Sequence, residues 1–470
     1  MRFFSKGLSM SILHLPEPTL NCQFSLSVCS EIAESLVNPE FVKNIVTHVD
    51  NKNPLFNEPP WYPNTLSHGY PAILLFYSYI AQSPLKFSSI EKIIYDYILC
   101  IRQDLTEQGV KDFSLYTGLA GICYSLSNCI GIDPRYSTLL ETLDRLLIQG
   151  LEEFYFPAIH TKLLKAEPIS TQLYDVIQGI IGIGAYLLTK PSNPEFHKAL
   201  TQIAKYLVGM CKPIKVNQTS VPGWYLPTEY QFLEQDRLAY PKGNFNLGLA
   251  HGITGNLSFL ALLKLKGIEV DNHAESMEYI TKWLLAYQQK GPKGSFWPKR
   301  ISFEHYIEGS IHDGESIRDA WCYGSPGIAN ALFLSSKALN RPDWTQKSLD
   351  ILYDALQRSP MESDIWRPTF CHGIAGLLTI TFRIARLNSD PFLLQKTQSL
   401  KQLLLSFYDE AAPFRFRDRE PMPSGGQIQL NKAGLLEGAC GVGLALLSLN
   451  TDYDIPWDEP FLTYSRDMVL

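Results

Sequence analysis

The chain has 470 residues, of which 45% are hydrophobic and 19% are charged, with 41 lysines and arginines against 47 aspartates and glutamates. The composition is globular, and a formal net charge of −6 disfavours binding to nucleic-acid backbones or anionic lipid surfaces. Because no uninterrupted apolar run reaches the roughly 18 residues that span a bilayer, we predict a protein that is not transmembrane. Nine cysteines without the dense spacing of a disulfide scaffold predict reduced thiols and a cytoplasmic location. Pro16 and Pro18 interrupt the short apolar stretch near the N-terminus, which disfavours a secretory signal peptide.

A repeated cassette organises most of the chain. Residues 1–60 lack it, and we predict that they form an N-terminal extension packing on a single domain of residues 61–470. In the cassette, Gly-x-x-Gly precedes about ten mostly apolar residues, and the imperfect first copy has Gly69 followed by Ala72 in place of the second glycine. The six complete copies begin at Gly118, Gly179, Gly252, Gly324, Gly373 and Gly438. This repetition overrules the two or three domains that length alone suggests.

Each repeat has room for a second helix. Successive first glycines lie 49 to 73 residues apart, from Gly69 to Gly118 at the short end and from Gly179 to Gly252 at the long end. The helix after each glycine pair is apolar almost all round, which indicates burial, whereas the segments between cassettes have amphipathic helical spacing. These segments are residues 88–102, 139–153, 197–211, 274–288, 344–356 and 393–408. We therefore predict an all-α fold, an α/α toroid in which seven inner helices form a closed barrel inside seven outer helices.

Two long segments interrupt the helical pattern. Residues 222–245 are rich in proline, tyrosine and glycine, and residues 289–318 contain a strand-like stretch from Phe296 to Ile307. The second segment predicts a small β-hairpin insertion that overhangs the mouth of the ring. Long loops in a compact ring are commonly functional, so we expect both to help hold a substrate.

The residues before the first glycines carry the chemistry. If all seven inner helices run in one direction, these residues converge on one mouth of the ring. They are His68, Thr117, Gln178, His251, Tyr323, His372 and Glu437. With the preceding Cys322 and Cys371, His372 completes a Cys₂His set that leaves a fourth position for water or substrate, as in catalytic zinc sites. His251 taken alone fits a buried core histidine equally well, and we interpret Cys123 and Cys440, inside apolar helices, as core residues.

Three of the cassettes resemble the signature motifs of the lanthionine synthetase C-like family, the lantibiotic cyclases. The sequences are LAHGITG from Leu249, WCYGSPG from Trp321 and CHGIAG from Cys371. The resemblance covers the chain from about residue 60 to its end, including the C-terminal Trp457 and Phe461-Leu462. It implies a zinc-dependent cyclase that adds cysteine thiols of a dehydrated precursor peptide to dehydroalanine or dehydrobutyrine, forming lanthionine and methyllanthionine rings.

The resemblance also implies residue roles. Cys322, Cys371 and His372 correspond to the ligands of one Zn²⁺ ion. His251 corresponds to the catalytic histidine and Asp175 to the active-site aspartate, while Arg318 corresponds to the active-site arginine and Tyr323 lies beside the metal. Other readings stay open at this point: Asp175 as a helix cap, Arg318 in an ion pair with Asp319 or Glu315, Tyr323 as a packing residue, and His68 in a structural or rim role.

The domain content resembles that of a standalone class I cyclase. Such an enzyme needs a separate dehydratase, and the family implies an export transporter, a modification complex and peripheral association with a membrane. Two alternatives remain open from the sequence. One is addition of an external thiol, glutathione, to dehydroamino acids, and the other is a non-catalytic peptide-binding toroid with a structural zinc.

Overall fold

The computed structural model describes residues 18–85, 87–310, 317–449, 455–465 and 468, with the side chains of the first helix described from residue 23 onward. The α-helices in this part of the chain are α1 (Pro18–Ser35), α2 (Pro39–Val46), α3 (Tyr70–Gln82), α4 (Ile90–Gln108), α5 (Leu119–Ser127), α6 (Ser137–Gly150), α7 (Phe156–Leu164), α8 (Thr171–Tyr174), α9 (Ile180–Leu187), α10 (Pro194–Gly209), α11 (Glu234–Ala239), α12 (Ile253–Leu265), α13 (His273–Ala286), α14 (Phe303–Glu308), α15 (Ser325–Ala338), α16 (Pro342–Ala355), α17 (Ile374–Asn388), α18 (Pro391–Leu405) and α19 (Ala439–Ser448). The strands are β1 (Pro213–Val216), β2 (Thr219–Pro222), β3 (Tyr225–Leu226), β4 (Asn244–Asn246), β5 (Gln289–Gly291), β6 (Gly294–Phe296), β7 (Arg300–Ser302), β8 (Asp418–Pro421) and β9 (Gln427–Leu430).

Two concentric layers of helices form the fold. The inner helices are α3, α5, α9, α12, α15, α17 and α19. Each contacts the next, and α19 contacts α3, so the inner layer closes on itself. Six of them pack against the outer helix that follows in the chain: α4, α6, α10, α13, α16 and α18. Because α9 and α19 are buried along their whole length, the all-apolar helices are inside and the amphipathic ones outside. The predicted α/α toroid is confirmed.

The seventh outer helix comes from the other end of the chain. Helix α1 packs against α19, and the Cys29 thiol donates a hydrogen bond of 3.5 Å to the Gly443 carbonyl. A Cβ atom at Gly443 would lie 3.5 Å from Ile32 of the same helix. Residues 18–35 are therefore part of the outer layer, and a domain boundary near residue 60 stays a prediction.

The glycine pairs allow a close approach of backbone at the start of the inner helices. Gly376 is the second glycine of the cassette that begins at Gly373, and a Cβ atom there would lie 2.1 Å from the Phe370 carbonyl oxygen. Gly324 adopts a φ of +97°, and a Cβ atom there would lie 1.5 Å from the carbonyl oxygen of Arg318. The backbone contact leaves no room for a side chain at either position, and at Gly324 the positive φ also favours glycine.

Backbone hydrogen bonds join the turns that precede the inner helices. From N–H to carbonyl oxygen they run from Ser67 to Tyr116, Tyr116 to Ile177, Val176 to Ala250, Ala250 to Cys322, Cys322 to Cys371, Cys371 to Leu436 and Leu436 to Ser67, at 2.9, 3.4, 3.1, 3.3, 3.2, 2.8 and 3.3 Å in that order. This circuit holds all seven turns at one end of the ring. The seven pre-glycine residues therefore surround one mouth, as their common position in the repeat predicts.

β1 and β2 pair between α10 and the first interrupting segment, β3 to β7 lie in the two interrupting segments, and β8 and β9 precede α19. β3, β4 and β7 form an antiparallel sheet in which Phe245 lies opposite Tyr225 and Ile301, and β5 pairs with β6 as a hairpin. The strand-like reading of residues 296–307 is wrong in its second half. There α14 begins because the Ser302 hydroxyl accepts a hydrogen bond of 3.1 Å from the N–H of His305 as an N-cap. Residues 311–316 of this predicted loop lie outside the described residues.

No helix in the described part of the chain has the length and apolar character needed to cross a membrane.

Candidate functional site

Two thiols and an imidazole meet at the mouth of the ring. The ligand atoms of Cys322, Cys371 and His372 all lie within 4.8 Å of one another. Cys322 lies in the turn before α15, and the other two residues lie in the turn before α17. Because this turn is irregular and ends at Gly373, the adjacent Cys371 and His372 can face the same point, which a regular helix would not allow.

The protonation of this cluster favours binding of a cation. A hydrogen bond from Cys371 holds the pKa of the Cys322 thiol well below its ordinary value, aided by His372 and Arg318 and opposed by burial. The same hydrogen bond, together with burial, raises the pKa of Cys371. Burial lowers the pKa of His372, but its hydrogen bond with Cys322 and the charge of Glu437 outweigh that effect and raise it. The pKa of Cys322 is thus lowered while that of its partner Cys371 is raised, and a metal ion that binds both sulfurs would displace their protons.

These residues fit zinc. Two soft sulfur donors and one imidazole nitrogen are the ligand types that zinc prefers, and three protein ligands leave one position for substrate. Cys123 and Cys440 are fully buried in inner helices, where burial raises the pKa of each thiol. They remain neutral core residues away from the cluster.

His251 and Asp175 form a second pair at the same mouth. The Nδ1 atom of His251 lies 2.5 Å from Oδ2 of Asp175. The other oxygen of Asp175, Oδ1, accepts hydrogen bonds from the N–H groups of Gln178 at 2.7 Å and Gly179 at 3.0 Å. The fully buried carboxylate therefore caps the turn before α9 and contacts His251 at the same time. Its position is compatible both with a helix cap and with an active-site aspartate.

Arg318 is held by the carboxylate of Asp364. Its Nε atom donates a hydrogen bond of 2.8 Å to Oδ2 of Asp364, and its Nη2 atom donates to the same oxygen. Asp319 pairs instead with the buried Arg358, at 2.6 Å, so an ion pair of Arg318 with Asp319 is wrong, and Glu315 lies outside the described residues. The charge of Cys322 raises the pKa of Arg318 against the opposing effect of burial, which is consistent with a position near the thiolate.

Tyr323 is fixed by the β4 segment. Its hydroxyl accepts a hydrogen bond of 3.0 Å from the Nδ2 atom of Asn246. Its ring lies against Gly248, where a Cβ atom would come within 2.6 Å of the ring. Burial raises the pKa of Tyr323, so the side chain stays a neutral phenol.

Several residues at the site were given no role from the sequence. Asp364 and Asn246 hold Arg318 and Tyr323, and Glu437 lies 3.4 Å from Nε2 of His372. Phe232, in the segment before α11, places its ring centroid 5.8 Å from that of His251. For Glu437 a signal was present, because it occupies the pre-glycine position next to that of His372 around the ring.

Comparison with known proteins agrees with this arrangement. The family model described as "Lanthionine synthetase C-like protein" matches residues 60–462. The nisin biosynthesis protein NisC of Lactococcus lactis subsp. lactis is 29% identical over 354 residues, which are 74% of this chain and 81% of that protein. A solved structure of nisin cyclase matches with a TM-score of 0.75 and 25% identity, covering 94% of this chain and 98% of the other. The chain therefore belongs to the lanthionine synthetase C-like family and is a lanthionine-forming cyclase of the lantibiotic type.

Proposed function

We propose that this cyclase is zinc-dependent and acts on a dehydrated precursor peptide, leader plus core. It adds cysteine thiols of the peptide to dehydroalanine and dehydrobutyrine residues, which forms lanthionine and methyllanthionine rings. The observation that carries the proposal is the Cys322, Cys371 and His372 cluster, whose ligand atoms lie within 4.8 Å of one another. The His251–Asp175 pair at the same mouth supports catalysis over binding alone.

Cys322, Cys371 and His372 would hold the zinc ion. A bound zinc ion lowers the pKa of a substrate thiol so that the thiolate is present at neutral pH. A free cysteine thiol, with a pKa near 8.5, is mostly protonated there. The two protein thiolates donate electron density, which keeps the substrate sulfur nucleophilic.

His251 carries the proton transfer. Attack of the substrate sulfur on the β-carbon forms the C–S bond and moves the electron pair of the double bond to an enolate at the neighbouring carbonyl. The α-carbon then takes up a proton, so the elements of S–H are added and nothing leaves. His251 donates that proton, removes the proton of the incoming thiol, or does both, and Asp175 at Nδ1 directs its Nε2 atom toward the substrate.

Arg318 and Tyr323 complete the proposed site. The guanidinium of Arg318 stabilises the negative charge of the enolate, and its ion pair with Asp364 keeps it in one orientation. Tyr323, fixed by Asn246, shapes the cavity wall next to Cys322.

The interrupting segments help hold the peptide. Phe232 is 46% exposed although it contacts the His251 ring. An exposed aromatic ring at this position offers an apolar contact to the residues that flank the reacting thiol. The ion pair between Asp236 of α11 and Arg300 of β7, at 2.9 Å, ties this segment to the three-stranded sheet.

The partners and location follow from the family. A separate dehydratase supplies the dehydroamino acids, and an export transporter removes the product from a shared modification complex. The cyclase would act in the cytoplasm and associate with the membrane peripherally through that complex.

Cyclisation is tested by counting thiols, because ring formation leaves the mass of the peptide unchanged. The zinc-loaded enzyme is incubated with a dehydrated precursor peptide and glutathione. The products are alkylated, and mass spectrometry counts the alkylated thiols of the peptide. We expect loss of alkylatable thiols with the wild type and none with His251→Ala. A glutathione adduct would favour the external-thiol reaction, and peptide binding without thiol loss would favour a non-catalytic toroid.

A further inference from the structure

A carboxylate lies between two histidines behind the candidate metal cluster. The Oε1 atom of Glu437 lies 3.4 Å from Nε2 of His372, and its Oε2 atom lies 3.7 Å from Nε2 of His68. The three residues occupy consecutive pre-glycine positions around the ring, before α17, α19 and α3. On its far side, Nδ1 of His68 lies 2.8 Å from the Ser67 hydroxyl. Glu437 thus has one oxygen for each imidazole.

A buried charged cluster fixes the carboxylate. The Nζ atom of Lys432 donates to Oε2 of Glu437 at 2.6 Å, to Oδ2 of Asp418 at 2.7 Å and to Oε1 of Glu420 at 2.7 Å. The Nη1 atom of Arg367 donates to the other oxygen of Glu420 at 3.1 Å. Only 2% of the Lys432 side chain is exposed. These interactions leave Glu437 little freedom to rotate.

The charges of this cluster do not cancel. Three carboxylates face two cations, so the five groups have a formal surplus of one negative charge, and Glu437 presents it toward His372. A buried surplus of this kind is costly unless a cationic partner compensates it. The ligand atoms of His372, Glu420 and Glu437 lie within 4.8 Å of one another, but the ammonium of Lys432 among the three carboxylates neutralises part of their charge and disfavours a metal ion there. The remaining negative charge acts on the Cys₂His cluster.

We propose that Glu437 is a positioning residue for the metal ligand His372. It holds the proton on Nε2 of His372 and leaves the lone pair on Nδ1 for the metal, while Lys432 and His68 prevent its rotation. Carboxylates that hydrogen-bond the distal nitrogen of a metal-bound histidine orient the ring and increase its basicity. The inference rests on the proposed zinc centre and assigns a role to Glu437 and His68 that neither thiolate chemistry nor proton transfer requires.

Zinc affinity tests the inference. The apoprotein competes with a chromophoric chelator for zinc in the wild type, Glu437→Gln and Asp418→Asn. The two variants remove the same charge from the same Lys432 cluster, but only Glu437 lies within 4 Å of His372. We expect the dissociation constant to rise about 10- to 100-fold in Glu437→Gln and to change by less than about threefold in Asp418→Asn.

Cobalt(II) absorption distinguishes a positioning role of Glu437 from a merely structural one. A variant that affects only folding would leave the absorption bands of the bound metal unchanged. The d–d bands of the cobalt-substituted protein should shift in Glu437→Gln, because the imidazole loses its orientation, and should match the wild type in Asp418→Asn. Glu437→Asp, which keeps the charge but shortens the side chain, should recover part of the zinc affinity. It also keeps the test open if Glu437→Gln does not fold.

Three results would overturn the inference: wild-type affinity in Glu437→Gln, an equal loss in Asp418→Asn, or an affinity of Glu437→Asp below that of Glu437→Gln. Failure of the proposed function is recognised separately. A wild-type protein that binds no zinc defeats the zinc centre and the positioning role together, whereas tight wild-type binding that is insensitive to Glu437 defeats only the positioning role.

Discussion

The two halves of the ring mouth hold their functional side chains in different ways. In the metal half, His372 is backed by Glu437 and the buried Lys432 cluster. In the histidine–aspartate half, Asp175 is the one carboxylate within the described part of the chain that pairs with His251, and it accepts hydrogen bonds from two backbone N–H groups. The side chain of His372 is 16% exposed and that of His251 is 28% exposed. The difference suggests that a metal ligand set needs fixed geometry and compensated charge, while a proton-transfer residue needs access to the peptide.

The largest expected effect is on stability and lies in the metal half. Lys432→Met leaves the carboxylates of Asp418, Glu420 and Glu437, which are 0%, 10% and 21% exposed, without their shared cation. We therefore expect the free energy of unfolding to fall by about 3–5 kcal/mol. The control is Lys282→Met, which breaks an exposed helical ion pair with Glu278 at 3.0 Å and should cost less than about 1 kcal/mol. Denaturant titration measures both, and equal losses would contradict the assignment of Lys432 as the cation that compensates the buried cluster.

In the histidine–aspartate half the effect should fall on turnover. His251→Gln removes the proposed acid and base, so we expect the cyclisation rate to drop about 100- to 10,000-fold. Zinc content and the unfolding midpoint should stay at wild-type values, because His251 lies outside the buried charged cluster. His197→Gln, on the exposed face of α10, is the control and should leave the rate unchanged. A loss of zinc in His251→Gln would show that the halves are not separate.

Variants of Asp175 distinguish its role as a cap of the turn before α9 from its role in orienting His251. In Asp175→Asn one oxygen still accepts from the N–H groups of Gln178 and Gly179, but the amide nitrogen replaces the oxygen that faces His251. We expect at least a tenfold loss in turnover, since an amide holds the imidazole in the wrong tautomer, with stability within about 1 kcal/mol of the wild type. Asp175→Ala should lose the cap as well, at a further cost of about 1 kcal/mol. Full activity in Asp175→Asn would leave the residue a cap alone.

The smallest expected effect is on peptide binding. Phe232→Ala should raise the KM for the precursor peptide by about 3- to 10-fold, with kcat nearly unchanged and stability within about 0.5 kcal/mol. Phe41→Ala is a matched control, because Phe41 of α2 and Phe232 are both 46% exposed, and it should change neither constant. Steady-state kinetics by thiol counting measures the difference, and equal KM values in the two variants would remove Phe232 from the peptide-binding surface.

The repeat made the ring and its mouth predictable. Glycines at fixed positions before apolar helices indicate the inner layer, and their common direction predicts that Cys322, Cys371 and His372 converge, which the structure confirms. Local pattern did not predict that α1 is the outer partner of α19, because the two helices lie at opposite ends of the chain. The local sequence pattern also predicted a strand after Ser302, where the Ser302 side chain instead caps the start of α14.

The charged cluster was missed for a related reason. Asp418 and Glu420 alternate on β8, and both accept from Lys432, which follows β9. Charged residues on a short strand ordinarily predict an exposed edge, and only the pairing of distant segments indicates burial. The two carboxylates in the i and i+2 positions, facing the same side, were the available signal.

Zinc content per chain, measured by elemental analysis, tests the metal centre most directly. Wild type, Cys322→Ala and Cys371→Ala are prepared in the same way, with Cys440→Ala as a buried cysteine outside the cluster. We predict about one zinc ion per chain in the wild type and in Cys440→Ala, and loss or marked weakening of binding in the other two. A wild type that stays metal-free after zinc is offered, or full zinc content in Cys322→Ala and Cys371→Ala, would contradict a metal centre built from these two turns.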